Sequence, residues 1–84
     1  MGKIKVNDIL YPVIIVERPN NGKSSYSVLL PNGQETNFGV NSFNNAEPNL
    51  GLKILEFLFS PDNMPELQQA FETAVNSLNQ QGTS

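Results

Sequence analysis

The segment that most constrains this chain is residues 9–18, ILYPVIIVER. It is rich in β-branched residues and stops on Pro19-Asn20-Asn21-Gly22, a composition that reads as a strand followed by a turn. Both parities are apolar, with Ile9, Tyr11, Val13 and Ile15 on one face and Leu10, Ile14 and Val16 on the other. Strands of that kind usually lie centrally or are covered on both sides, which is the expectation here. Pro12 has no N–H to give to a ladder, so its amide side is expected at the strand's start or along an unpaired edge.

Two shorter strands follow. Residues 25–30 alternate, with Tyr26, Val28 and Leu30 on one face, and residues 35–40 alternate with Thr36, Phe38 and Val40. Pro31-Asn32-Gly33 lies between them. A two-residue Asn32-Gly33 loop would set Val28 against Asn37 and Leu30 against Glu35, apolar against polar. A three-residue loop instead pairs Tyr26 with Phe38 and Val28 with Thr36. A slip of one residue turns every side chain over, so the pattern selects the three-residue loop, with Gly33 left-handed.

The period then changes. Leu50, Ile54, Phe57 and Leu58 share one helical face, and Leu52, Leu55 and Phe59 form a second apolar stripe. Only Lys53 and Glu56 clearly face water, so this helix is apolar over much more than the usual arc of about 100°. Pro48 suits its first turn, leaving 41–47 as a loop or kinked approach. Residues 60–63 break the chain. Ser60 or Asp62 can cap a second helix that tolerates Pro65 in its first turn. Leu67, Ala70, Phe71, Ala74, Val75 and Leu78 form its narrow stripe. The expected architecture is α+β in the order βββαα: a three-stranded antiparallel meander, a fourth strand at Lys3 to Val6 being optional, with two helices on one face. An 84-residue chain makes one domain. It is expected to span 1–78, with a disordered tail at 79–84.

Chemistry is limited by what is missing. The chain has no Cys and no His. Disulfides, thiolate zinc sites and nucleophilic triads are therefore excluded. The remaining carboxylates, hydroxyls and lysines form no recognisable catalytic motif, so no enzyme activity, metal or cofactor is expected. The Gly-bearing turns lack phosphate-loop spacing and read as turn chemistry. Glu66 and Glu72 belong to a solvated helix face. The formal charge is −3, split between a basic-leaning first half and an acidic second half. Lys3, Lys5, Arg18 and Lys23, with the aromatics Tyr11, Tyr26 and Phe38, are the candidates for nucleic-acid contact, but Tyr26 and Phe38 fall on the face assigned to the core. Nucleic acid is therefore an unlikely partner. The N-terminus has no signal-peptide apolar region, and 50–59 is too short to span a bilayer. A cytoplasmic location without membrane attachment is expected, in the host cytoplasm for a phage-encoded protein.

The surplus apolar surface points to association. The seven large apolar residues between Leu50 and Phe59 exceed what one sheet and one narrow helix stripe can cover. Leu52, Leu55 and Phe59 are therefore the candidate partner or self-association interface, with a homodimer favoured.

The stretch from Tyr11 to Gly33, with its Tyr11-Pro12 strand, Gly-bearing turn and Tyr26-Ser27-Val28 strand ending at Pro31, resembles the HicB family of antitoxins. Gly39-Val40-Asn41-Ser42-Phe43, followed by Ala46, Ile54, Phe57 and Leu58, is similar to that family's approach to its first helix. The resemblance reaches to about Leu58 and implies a partial RNase H-like fold that binds and occludes a small toxin ribonuclease. Many members also carry a DNA-binding module, for which the acidic C-terminal region lacks the charge and pattern. Two other readings fit the composition: a phage- or plasmid-encoded inhibitor of a host enzyme or defence system, and an SH3- or Tudor-like module binding nucleic acid or peptide. The common reading is a small non-catalytic protein that acts by binding a toxin, a host enzyme or another protein.

Overall fold

The computed structural model describes residues 2–43 and 46–82. The first two strands, β1 (Lys3–Val6) and β2 (Ile9–Pro12), pair antiparallel in the register Ile4 with Tyr11 and Val6 with Ile9. Asn7 and Asp8 join them, and both have positive φ, 52° and 64°. Two left-handed central residues make the tight turn that matches strand twist, and asparagine and aspartate tolerate it best after glycine. The optional N-terminal strand is thus present, but it forms its own hairpin rather than extending the meander.

Beyond Val13 the strand changes partner. β3 (Ile14–Asn20) pairs antiparallel with β4 (Lys23–Leu29), in the register Ile14 with Leu29 and Arg18 with Ser25. Its turn is Asn21-Gly22, again with two positive φ values, 53° and 78°. The single strand expected over 9–18 is therefore two strands. Val13 is the junction, and its N–H donates to the Gly2 carbonyl at 2.8 Å. Amide direction alternates along a strand, so Pro12 turns its missing donor away from β1, towards the unpaired edge.

The short strand β5 (Glu35–Thr36) pairs with β4, Val28 opposite Thr36. The loop is the three-residue form: Gly33 N–H donates to the Leu30 carbonyl at 2.9 Å and Leu30 N–H to the Gln34 carbonyl at 2.7 Å. Gly33 takes a φ of 91°. The expected strand over 35–40, however, stops after two residues. Tyr26 N–H donates to Asn41 Oδ1 at 2.9 Å, and Asn37 Nδ2 donates to the Tyr26 carbonyl at 3.1 Å. These two asparagine side chains satisfy the backbone groups that a longer β5 would have met. Freed from the ladder, Phe38 and Gly39 turn left-handed, and Val40–Ser42 wind into one 3₁₀ turn. Phe43, just past it, meets Phe57 edge-on with ring centres 5.5 Å apart.

Helices α1 (Leu50–Leu58) and α2 (Met64–Gly82) complete the chain. At the break between them, Ser60 Oγ and Asn63 Nδ2 both donate to the Phe57 carbonyl, at 2.8 and 2.9 Å. Ser60 thus closes the end of α1. Pro65 sits in the first turn of α2, where no N–H is needed. The tail expected from residue 79 is helical as far as Gly82; residues 83–84 lie outside the described residues.

One core joins these pieces. Ile4 and Val6 from β1, Tyr26 and Val28 from β4, Ile54 and Leu58 from α1 and Leu67, Phe71, Ala74 and Val75 from α2 are all buried. Both helices contribute to this one core, and the molecule is a slab of 43 × 29 × 17 Å. Its short dimension holds two layers, strands and helices, so among the described residues nothing packs on one side of the strands.

Candidate functional site

Alternation along residues 10–15 decides what the molecule presents. Tyr11, Val13 and Ile15 pack against the core. The residues between them, Leu10, Pro12 and Ile14, are exposed, Leu10 by 58% and Ile14 by 45%. Parity carries through the junction at Val13, so the outer faces of both strand pairs are continuous in sequence. This corrects the expectation that a strand apolar on both sides is covered on both sides. Ile9, beside the first turn, is also 54% exposed.

Half-buried Leu29 lies opposite Ile14 on the same outer face. Because β4 ends there while the neighbouring strand runs on as β2, a shallow groove of about 190 Å³ opens between them, lined by Tyr11, Pro12 and Ile14 from one strand and by Leu29, Leu30 and Pro31 from the other. That volume is smaller than the roughly 300–1,000 Å³ of small-molecule sites. It suits a single large apolar side chain.

The register places basic residues around this apolar middle. Lys3 stands opposite Pro12 and Lys5 opposite Leu10, both exposed. Arg18 and Lys23 have the outward parity on β3 and β4. Four of the chain's five basic residues therefore share the outer face. The fifth, Lys53, pairs with Glu47 in the helical half. Glu56, Asp62, Glu66 and Glu72 also belong to that half.

Arg18 is already occupied. Its Nε donates to Glu35 Oε1 at 3.0 Å, its Nη2 bonds the other carboxylate oxygen, and Ser27 Oγ adds a third donor at 2.9 Å. Hydrogen bonds from Arg18, then from Ser27, hold the Glu35 carboxyl down at about 2. The forked pairing ties β3, β4 and β5 together across the outer face. Lys3, Lys5 and Lys23 are left to meet a partner. The approach of Lys5 Nζ to Asp8, 4.0 Å between side chains 65% and 98% exposed, holds neither strongly.

The other expected interface is reduced. Leu52 is 50% exposed, but Leu55 and Phe59 are half-buried. Leu55 reaches the start of β1, its Cδ1 3.9 Å from where a side chain on Gly2 would begin. Phe59 packs against the core. The N-terminal hairpin supplies cover that the sequence did not count. Tyr26 is 5% exposed and Phe38 packs against the core, so neither offers a stacking surface. Burial, then the nearby Glu17 carboxylate, pushes the Tyr26 phenol up, and its hydroxyl donates to Glu17 Oε2 at 3.3 Å. Among the described residues no polar side chain is buried, no group of three carboxylates could hold a metal, and no helix is long and apolar enough to cross a membrane.

Leu10 and Ile14 are the site residues that sequence reasoning missed. The signal that could have found them is the pair Lys3 and Lys5: matched to Pro12 and Leu10 through a two-residue turn, they mark that face as solvated. Comparison with protein-family models, curated proteins and solved structures finds no match.

Proposed function

We propose that this protein is a non-catalytic protein-binding module that works by covering a partner's surface with the outer face of its strands. The observation that supports this reading is the solvent-facing row Leu10, Pro12 and Ile14 beside the groove at Pro31. Large apolar side chains left in water forgo roughly 1.5–3 kcal/mol of burial each, and contiguous apolar patches mark interaction sites. A HicB-like antitoxin domain occluding a toxin ribonuclease is one form of this function, and an inhibitor of a host enzyme is another. Both need a binding face and no catalytic groups. The residues expected for self-association offer less: Leu52 is exposed, and Leu55 and Phe59 are half-buried.

The test is site-specific photo-crosslinking in the source cell, with the reactive group placed at position 14 or, for comparison, at position 52. A discrete protein adduct from position 14, absent from position 52 and resistant to nuclease, is expected. Adducts that nuclease removes, or protein adducts from position 52 alone, would contradict the reading.

A further inference from the structure

We infer that the outer strand face takes an acidic amphipathic segment of a partner protein, with one large apolar side chain in the groove between Pro12 and Pro31 and carboxylates on Lys3 and Lys5. The inference rests on the protein-binding reading and names the chemistry of the partner. The chain as a whole carries a formal charge of −3. On this face, however, Glu35 is neutralised by Arg18, and the ammonium groups of Lys3, Lys5 and Lys23 outnumber the carboxylate of Asp8, which stands 4.0 Å from Lys5 in the first turn. An acidic partner is drawn to this side and repelled by the helical half, which fixes its orientation before contact. At contact, the groove offers an apolar anchor point with cationic rims, the usual layout of a small interface whose energy is concentrated in one or two side chains.

The strands also decide how the segment is held. Pro12 removes a donor from the open edge of β2. The outer edge of β1 is engaged too, since Gln68 Nε2 donates to the Lys5 carbonyl at 2.9 Å. Beside the groove a partner strand would find few free backbone groups, although β3 keeps an open edge in the sheet order β3-β4-β5, so recognition at the groove runs through side chains. A nucleic acid fits less well: Tyr11, the aromatic side chain that lines the groove, is half-buried against the core, and the middle of the face is apolar where phosphates would lie. A second copy of the chain would have to present its acidic helical half, whose exposed large apolar residues are Leu52 and Leu78, one on each helix. Such a head-to-tail contact leaves an unfilled face at each end unless its rotation closes a ring.

The experiment is a titration of the isotope-labelled protein followed by amide chemical shifts. The probes are a helical peptide with Leu and Phe on one face and Glu elsewhere, the same peptide with Gln for Glu, and a single-stranded oligonucleotide of equal charge. The Glu peptide is expected to move the amides of residues 10–14 and 29–31. The double variant Lys3→Glu, Lys5→Glu should weaken it about tenfold at low salt, equivalent to roughly 1.4 kcal/mol, with an unchanged amide spectrum away from β1 showing that the fold persists. Equal binding of the Gln peptide, stronger binding of the oligonucleotide at the same amides, or concentration-dependent broadening of that face without any probe would each overturn the inference. The protein-binding reading fails separately: it falls if position 14 captures no protein in the cell, and it survives if a protein is captured whose crosslinking is indifferent to the two lysine reversals.

Discussion

The two sides of residues 10–15, three apolar residues on each, have opposite fates. Tyr11, Val13 and Ile15 pack against a core built from both helices. Leu10, Pro12 and Ile14 stand in water, in a row with Lys3 and Lys5 across from them. The difference comes from the number of layers. The described residues form one helix layer, and it lies on one side of the strands. Apolar residues on both parities therefore do not establish that both are covered; in a small domain, the second set is a candidate for function.

The largest test of this comparison is to truncate matched residues on the two sides of the first hairpin. Ile4, 1% exposed, points into the core, and Ile4→Ala should cost about 2–5 kcal/mol in denaturant unfolding. Leu10, 58% exposed, points out of it, and Leu10→Ala should stay within about 0.5 kcal/mol of the wild type. Equal costs would mean that the outer face is covered in the free protein.

A smaller effect is expected where the chain leaves the sheet for α1. Gly39 has a φ of 85°, and a side chain there would begin 3.4 Å from the Phe57 ring. Gly39→Ala should destabilise by about 1–3 kcal/mol through the left-handed backbone alone, read from the unfolding midpoint. No loss would show that this turn does not hold the 3₁₀ segment against the helix.

Smaller still is the acid response of the outer face. The folded Glu35 carboxyl is lowered from 4.5 to about 2. A depressed carboxyl gives its contribution in full above the unfolded value and loses it as pH falls towards the folded one. Wild-type stability should therefore drop through that window more than that of Glu35→Gln, measured by unfolding at matched pH values. Parallel curves for the two proteins would remove the Arg18–Glu35 clamp from the account.

Much of the sheet was legible because local patterns agreed with one another. The alternation at Tyr26, Val28 and Thr36 chose the three-residue loop, and Gly33 adopts the left-handed turn it requires. The helical stripe from Leu67 to Val75 became the second helix's core face. What could not be read was substitution of one partner for another. Asn37 and Asn41 replace a ladder with side-chain bonds to Tyr26, which cuts β5 short, and no periodicity signals that. The covering of Leu55 near Gly2 depends on where the N-terminal hairpin lands, a tertiary fact. The binding face was half legible. Its lysines were singled out and Leu10 and Ile14 were placed on one parity, but that this is the open side, shared with Lys3 and Lys5, follows from the Asn7-Asp8 turn that pairs β1 with β2.

The absence of cysteine makes the central claim directly measurable. Single cysteines introduced at positions 10 to 15, one protein at a time, can be labelled with a thiol-reactive reagent under native conditions and their rates compared. An open outer face predicts fast labelling at 10, 12 and 14, slow labelling at 11, 13 and 15, and the same pattern at every protein concentration. Uniformly slow labelling, or protection at 10, 12 and 14 that grows with concentration, would contradict it.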